Sequence, residues 1–281
     1  MRTTLSIILL AFLPILAARP LSVIVSIAPQ LEAVRTIAGD NAAVGVLVPK
    51  GASPETYSPS AAEIRRLSDA DVLFTIGVPI EKAILPKLRQ VSPRLRIVDT
   101  TKGMALRDME GGHSHHSHGS KDPHVWLSID NMIAHAKNIS LAIAELDSAN
   151  ADVYATRAND YITSLKTLKA DLDDAMKPLS GSRLLVFHPA FGYFLDPHGI
   201  EQIPVEVDGH EPSGRHLAEL SKTVGELKAK VIFVQPQSNK TLVSSIPQML
   251  SLKQIVLDPL PDDYSNGMRA IAKSIMDSLN K

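Results

Sequence analysis

Histidines crowded into one short stretch are the feature of this sequence that most directly indicates chemistry. Four of the ten histidines, His113, His115, His116 and His118, lie in the Gly/Ser-rich run 111–119. Neutral imidazole is the commonest protein ligand for transition metals, and glycine and serine cannot build a packed core around it. The run therefore predicts a loop that collects metal ions. A solvated linker that happens to contain histidines is the alternative.

Three residues outside this loop are also candidate metal ligands because of where they fall in the sequence. His188 and Asp258 each come directly after a short apolar run that reads as a strand. Ligands of open α/β sheets bind outside the carboxyl ends of the strands, so both side chains are expected at such a crevice. His124 follows Pro123, which stiffens the entry to its segment. Each has a plainer alternative, since a histidine at a strand end is commonly structural and Asp258 could cap the turn before Pro259.

Short apolar runs alternate with amphipathic helical stretches through most of the chain. The predicted strands are 22–27, 43–48, 72–76 and 95–98, followed in the second half by 183–187, 203–207, 230–234 and 254–257. The predicted helices are 29–38, 61–67, 214–229, 241–252 and 265–279. This alternation is typical of parallel sheets covered on both faces. The predicted fold class is α/β, with two βα lobes that each hold a parallel sheet.

One long helix is predicted between the two lobes, from 149 to 176. Its apolar stripe is spaced alternately by four and three residues and consists of Tyr154, Ala158, Tyr161, Leu165, Leu168, Leu172, Ala175 and Leu179. A coiled-coil dimer seam is the alternative, but the short stripe and its alanines favour packing across both lobes of a monomer. A rigid helix joining two lobes leaves a cleft between them, where a metal site is expected. The predicted divisions are 1–18, 19–148, 149–180 and 181–281, which are signal peptide, first lobe, linking helix and second lobe.

Composition and the amino terminus limit where the protein acts and on what. The chain has 29 basic against 30 acidic residues and is only 4% aromatic, which argues against a nucleic-acid partner. The apolar run 5–18 is too short to span a bilayer and predicts a cleaved secretory signal peptide. The sequence has no cysteine, so disulfides and a lipid-anchored cysteine are excluded. The expected protein is exported to the periplasm without a permanent membrane anchor.

Six motifs, in this order, carry a resemblance to a known family. They are GASPETYSPSAAEIRRLSDADVLFTIG (51–77), DPHVWLS (122–128), HPAFGYF (188–194), EPSGRHLAEL (211–220), VIFVQPQ (231–237) and LDPL (257–260). The chain resembles the cluster A-I metal-binding solute-binding proteins, the periplasmic components of zinc and manganese ABC importers. The resemblance covers essentially the whole chain after the signal peptide. The His-rich insertion before DPHVWLS is similar to that of the zinc-specific branch.

The resemblance implies a four-residue metal site formed by Glu55, His124, His188 and Asp258, two from each lobe. The family usually has histidine where this sequence has Glu55. Two imidazoles and two carboxylates are still a legitimate zinc set, although the added oxygen shifts preference toward harder ions such as Mn²⁺. A second possibility is that Glu55 points away from the metal and a loop histidine or water completes the site.

The function implied by the resemblance is capture of Zn²⁺ and its delivery to an ABC permease, without catalysis. Manganese binding by the same importer family is the alternative, although intrinsic affinities favour zinc over manganese. A zinc-dependent hydrolase is a further alternative, but the sequence has no HExxH motif and its candidate ligands are scattered. An adhesin role agrees poorly with the missing anchor cysteine.

Two further expectations concern the surroundings of the ligands and the effect of pH. A ligating histidine usually donates its other ring N–H to a carboxylate or carbonyl, and Glu206, Asp208 and Glu211 are candidates for this role. Protonation of His124 or His188 is predicted to weaken metal binding steeply between neutral pH and about pH 5.

Overall fold

Two four-stranded parallel sheets form the framework of the chain. The computed structural model describes residues 19–109, 121–206 and 213–279. The predicted signal peptide and the four loop histidines lie outside these described residues.

The first sheet has the strand order β2-β1-β3-β4, and all its neighbours run parallel. Its strands are β1 (Leu21–Val25), β2 (Ala42–Val46), β3 (Val72–Thr75) and β4 (Arg96–Asp99). The central strand β3 is buried along its whole length, as expected for a parallel sheet covered on both faces.

The second sheet repeats this arrangement with the order β6-β5-β7-β8. Its strands are β5 (Arg183–Val186), β6 (Glu201–Pro204), β7 (Val231–Val234) and β8 (Lys253–Val256). The strand order reverses between β5 and β7, and such a reversal opens a crevice at the carboxyl ends of the strands. The prediction of two α/β lobes with parallel sheets is confirmed.

Helices cover both sheets and connect them. They are α1 (Leu31–Ala38), α2 (Ala61–Ser68), α3 (Pro79–Val91), α4 (Ile129–Leu146), α5 (Ala151–Met176), α6 (Gly192–Leu195), α7 (Gly214–Leu227), α8 (Lys240–Met249) and α9 (Tyr264–Leu279). The sequence analysis did not predict α3, α4 or the four-residue α6. Pro86 inside α3 reads as a helix breaker. Helix α4 packs against α1 and α5. It buries Ile129, Met132, Ala136, Ile139 and Ile143, which are spaced alternately by three and four residues, so its amphipathic pattern was present in the sequence and was overlooked.

Helix α5 is the predicted long helix between the lobes, and it begins two residues later than expected. At 26 residues it is about 39 Å long. The predicted stripe from Tyr154 to Leu172 is buried, and it packs against α1, α4 and α9. The stripe is therefore packed against other helices of the same chain, which is the arrangement favoured over a coiled-coil dimer seam.

One hydrophobic core runs through both lobes rather than stopping at the boundary between them. It includes Phe74 from the first sheet, Leu165 from α5, Val186 from the second sheet and Ile271 from α9. A smaller second core lies between the other face of the second sheet and helices α7 and α8. Across the described ranges, no helix combines the length and apolar character needed to cross a membrane.

Candidate metal centre

His188 lies at the carboxyl end of β5, beside the point where the order of the second sheet reverses. Its backbone is held by Gln235, whose side chain accepts from the His188 N–H at 3.3 Å and donates to the His188 carbonyl at 2.9 Å. On the ring, Nδ1 lies 2.8 Å from Oε2 of Glu206. Because a carboxylate accepts the Nδ1 proton, Nε2 is the atom that faces the cleft and can bind a metal.

His124 has the same arrangement in the connection between β4 and α4. The Asp122 carboxylate accepts from the His124 backbone N–H at 2.9 Å, and the same oxygen lies 2.7 Å from Nδ1 of the ring. Asp122 is almost completely buried and His124 is 5% exposed. Trp126 packs edge-on against the imidazole, with the ring centroids 5.3 Å apart. This packing and the Asp122 contact direct Nε2 of His124 into the cleft.

Glu55 approaches both imidazoles from a turn that follows β2. The turn is closed by Ser53, whose carbonyl accepts from the Tyr57 N–H at 2.9 Å and whose hydroxyl accepts from the Glu55 N–H at 3.2 Å. The Glu55 side chain is 29% exposed, and its Oε1 lies 3.2 Å from Nε2 of His188. The same oxygen lies 3.7 Å from Nε2 of His124. Glu55 therefore points toward the two histidines and not away from them.

These three ligand atoms converge with the spacing of metal ligands. The two Nε2 atoms are 3.3 Å apart, and Glu55 Oε1 lies at 3.2 and 3.7 Å from them. Zinc bonds of about 2.0–2.1 Å at tetrahedral angles put neighbouring ligand atoms about 3.3 Å apart. Within the described part of the chain, Glu55, His124 and His188 are the group of three metal-ligating side chains that lie close enough to share an ion.

The charges of the group are coupled. Burial lowers the pKa of His188, but hydrogen bonds and charge from Glu206 and Glu55 outweigh it and raise the pKa to about 9. Burial raises the pKa of Glu55, yet the hydrogen bond from His188 and the positive charges of His188 and His124 bring it below its usual value. A metal ion entering at neutral pH must therefore displace a proton from His188.

Asp258, the fourth predicted ligand, is not part of this close group. It follows β8 and is partly buried, and its Oδ1 accepts from Gln237 Nε2 at 2.8 Å and from the Leu260 N–H at 3.0 Å. The next residue, Pro259, is tied to the other lobe because its carbonyl accepts from Trp126 Nε1 at 2.6 Å. The structure thus brings together three of the four predicted ligands. The fourth, Asp258, is held outside this group by hydrogen bonds from Gln237 and Leu260.

The group opens into a cavity of about 410 Å³ with walls from both lobes. Ser53 and Trp126 contribute from the first lobe, whereas Glu206, Gln237 and Leu242 contribute from the second. The predicted interlobe cleft is therefore present, and the three converging side chains lie at its wall.

The surroundings of the two histidines were predicted in part. Glu206 was a candidate partner for a ligating histidine, and it contacts His188. Asp208 and Glu211 lie outside the described residues. Sequence reasoning missed Asp122 as the partner of His124. The available signal was the Asp-x-His spacing, which lets one carboxylate reach both the backbone N–H and the ring of the residue two positions later.

Two parallel α/β lobes, one connecting helix and a metal-competent group in the cleft between the lobes define a metal-binding solute-binding protein. The model of the family "ZnuA: Zinc-uptake complex component A periplasmic" matches residues 23–278. The chain belongs to this family.

Individual relatives agree with the family assignment. The chain is 27% identical over 279 residues to the high-affinity zinc uptake system protein ZnuA of Bacillus subtilis (strain 168), covering 92% of this chain and 86% of the relative. It is 26% identical over 275 residues to the zinc-binding protein AdcA of Streptococcus pyogenes serotype M3, covering 91% of this chain. It spans only 53% of that relative, so it matches about half the length of the AdcA proteins. A crystal structure of ZnuA superposes with a TM-score of 0.86 at 31% identity, covering 92% of this chain and 99% of the other.

Proposed function

We propose that this protein captures Zn²⁺ outside the cytoplasm and delivers it to an ABC permease for uptake. The observation that carries the proposal is the convergence of Glu55 Oε1, His124 Nε2 and His188 Nε2 at 3.2–3.7 Å. Family membership and relatives named for zinc binding and zinc uptake support the same conclusion.

The proposed ligands are Glu55, His124, His188 and Asp258. Both hydrogen bonds that the described residues make to the Asp258 carboxylate end on Oδ1, which leaves Oδ2 to reach the ion. Because Asp258 lies outside the close group, its carboxylate would have to move toward the other three ligand atoms when the ion binds. With two carboxylates and two neutral imidazoles, the site balances the charge of a divalent cation.

Zinc is the proposed cargo rather than manganese. Two imidazole ligands suit zinc, and a site of given composition binds zinc more tightly than manganese. Manganese prefers octahedral sites rich in oxygen, whereas half of the proposed donors here are nitrogen. Zinc import by relatives supports the same choice.

Transport without catalysis is the proposed role of this centre. A catalytic zinc site keeps an open position for water beside a general base. Glu55 is the carboxylate that faces the Nε2 atoms of both imidazoles, and its Oε1 lies at ligand spacing from each of them. Because the general-base candidate is used as a ligand, the arrangement supports binding and release rather than hydrolysis.

The remaining parts of the proposal concern the His-rich loop, the location and the assembly. His113, His115, His116 and His118 collect zinc and raise its concentration near the cleft. The protein acts in the periplasm as a monomer after removal of residues 1–18, without a permanent membrane anchor. We further propose that 19–148 and 181–281 act as the two lobes and 149–180 as the connection between them.

The test is a zinc titration of the protein with a competing chromogenic chelator, with and without residues 111–119. The deletion is suited to this chain because Asp108 and Lys121 pair in an isolated antiparallel bridge with an ion pair of 2.7 Å. Only residues 109, 110 and 120 would remain between them, which is a common hairpin length. One tight zinc site should survive the deletion while the total number of bound ions falls. Loss of tight binding with the loop would contradict this division of roles.

Substitutions in the same titration identify the ligands. Glu55→Ala and His188→Ala should each weaken zinc binding at least 100-fold, because each removes a proposed direct ligand. Glu201→Ala is the matched control, since Glu201 pairs with Arg183 on an exposed surface of the second lobe. Unchanged affinity in Glu55→Ala would mean that water or a loop histidine completes the site. Manganese binding tighter than zinc would reject the proposed cargo.

A further inference from the structure

Arg107 lies near the metal centre but does not line the cleft. Its side chain is a cation, so it is not itself a metal ligand. It directly follows the exposed residues Ala105 and Leu106, yet its own side chain is only 18% exposed. Its guanidinium Nη1 lies 3.1 Å from Oδ2 of Asp122. The other oxygen of this carboxylate holds the backbone and ring of His124.

The contact with Arg107 compensates a buried charge. The Asp122 side chain is fully buried, and a buried carboxylate without a cationic partner is strongly destabilised. Planar guanidinium nitrogens also restrict how the carboxylate can rotate. Backbone contacts reinforce the pair, because the Asp122 N–H donates to the Arg107 carbonyl at 3.0 Å. The position of the Asp122 oxygen that orients His124 therefore depends on Arg107.

Arg107 is itself fixed from the second lobe. Its Nε lies 3.0 Å from Oδ2 of Asp196, which follows α6. Its backbone N–H donates to the Tyr193 hydroxyl at 3.0 Å, and that hydroxyl donates to the Asp122 carbonyl at 3.2 Å. The guanidinium carbon also lies 5.8 Å from the centre of the Tyr193 ring.

Gly192 makes room for this arrangement. A Cβ at position 192 would lie 1.2 Å from Nη1 of Arg107 and 2.2 Å from its guanidinium carbon. Any side chain at this position would force the guanidinium away from Asp122. The HPAFGYF motif therefore has glycine at position 192 because the guanidinium of Arg107 occupies the space that a side chain would need.

We propose that Arg107 is a positioning residue of the metal centre. It holds Asp122 so that His124 presents Nε2 to the ion, and it links this unit to Asp196 and Tyr193 of the second lobe. The inference rests on the proposed function, because it assigns Arg107 a part in zinc affinity. Alteration of a carboxylate that holds a ligating histidine costs 10–100-fold in metal affinity, and displacement of Arg107 should cost a similar factor.

The test measures zinc affinity by chelator competition in the full chain for Arg107→Gln and Gly192→Ala. Arg107→Gln removes the cation, whereas Gly192→Ala keeps the arginine but displaces its guanidinium from Asp122. The second variant tests the same contact if the first does not fold. Both should bind zinc 10–100-fold more weakly. Arg269→Gln is the matched control, because it breaks an exposed Arg269–Asp171 pair of 2.9 Å and should leave affinity unchanged.

Two readouts separate positioning from a general loss of structure. Combining Arg107→Gln with Asp122→Asn should add less than about threefold to the loss caused by Asp122→Asn alone, since residues that act through one contact are not additive. The visible absorption of the Co²⁺-loaded protein should change in Arg107→Gln and not in Arg269→Gln, because it reports ligand geometry.

The outcomes distinguish this inference from the proposed function. Wild-type protein that binds zinc tightly, with Arg107→Gln and Gly192→Ala equal to it, would overturn the role of Arg107 alone. Multiplying losses in the double variant would also overturn it, because Arg107 would then act independently of Asp122. Absence of tight zinc binding in the wild type would overturn the proposed function and this inference with it.

Discussion

The buried imidazole of His135 should make the stability of the protein depend on pH. His135 lies on α4 and has no exposed surface. Its Nδ1 is 2.7 Å from the Thr100 hydroxyl, whose own proton is donated to the Thr75 carbonyl at 2.5 Å. Nδ1 must therefore carry the ring proton and donate it. Nε2 is buried and has no hydrogen-bond partner among the described residues.

The size of the effect follows from the pKa. Burial lowers the pKa of His135 to about 3, against an ordinary value of about 6.5 in an unfolded chain. Between these values the unfolded chain binds a proton that the folded protein does not, so stability falls as pH falls below about 6.5. At pH 3 the unfolded chain is fully protonated at His135 and the folded protein is half protonated, so the loss of stability is about 4 kcal/mol. Between pH 7 and pH 5 the loss is about 2 kcal/mol.

The perturbation that isolates this group is His135→Asn. The asparagine amide can still donate to Thr100 near the position of Nδ1, but it does not titrate. The measurement is urea unfolding at pH 7 and pH 5 in the presence of a metal chelator, followed by the fluorescence of the single tryptophan, Trp126. The variant loses packing at both pH values, so only the difference between pH values matters. Wild-type protein should lose about 2 kcal/mol more than the variant between pH 7 and pH 5. Equal losses would refute the assignment of His135 as a neutral, buried donor.

Four further outcomes are expected. Zinc binding at pH 7 should release about one proton, because the pKa of His188 is about 9 in the protein without metal; calorimetry in buffers of different ionisation enthalpy measures this, and zero release would contradict it. Apparent zinc affinity should consequently fall about tenfold per pH unit from about pH 8.5 to 6.5, which begins well above the neutral-to-acid window predicted from sequence. Glu206→Gln should weaken zinc binding 10–100-fold and make this pH dependence shallower, since Glu206 both orients His188 and raises its pKa. Leu165→Ala should lower the free energy of unfolding by about 2–5 kcal/mol in urea titrations, because Leu165 is fully buried where α5 joins the common core, and a loss below 1 kcal/mol would contradict that packing.

Local patterns in the sequence were sufficient to predict the lobes and most of their elements. The eight strands begin and end within three residues of their predicted positions, because short apolar runs between turns mark parallel strands locally. The spacing of Tyr154 and the residues that follow it encodes the buried face of α5 in the same way. Helix α3 escaped prediction because its internal Pro86 is typical of a helix end, whereas α4 carries a regular stripe from Ile129 to Ile143 that was overlooked.

The candidate ligands could also be identified from the sequence, because motifs and strand ends are sequence features. His188 is at a strand end where the sheet order reverses, as its position after an apolar run predicts. The prediction that Asp258 is a ligand remains a proposal, since its Oδ1 is held by Gln237 and Leu260 outside the close group.

What the sequence by itself determined is therefore the α/β architecture, the long helix and the residue types available for a metal. Tertiary structure alone decided that Glu55, His124 and His188 converge, because their proximity depends on turns and lobes that pack across long stretches of chain. It also decided the tautomers and the pKa of His188, which are set by contacts of about 3 Å with Asp122 and Glu206. Periodicity describes one element at a time, whereas ligand distances and electrostatic coupling depend on how separate elements are held against each other.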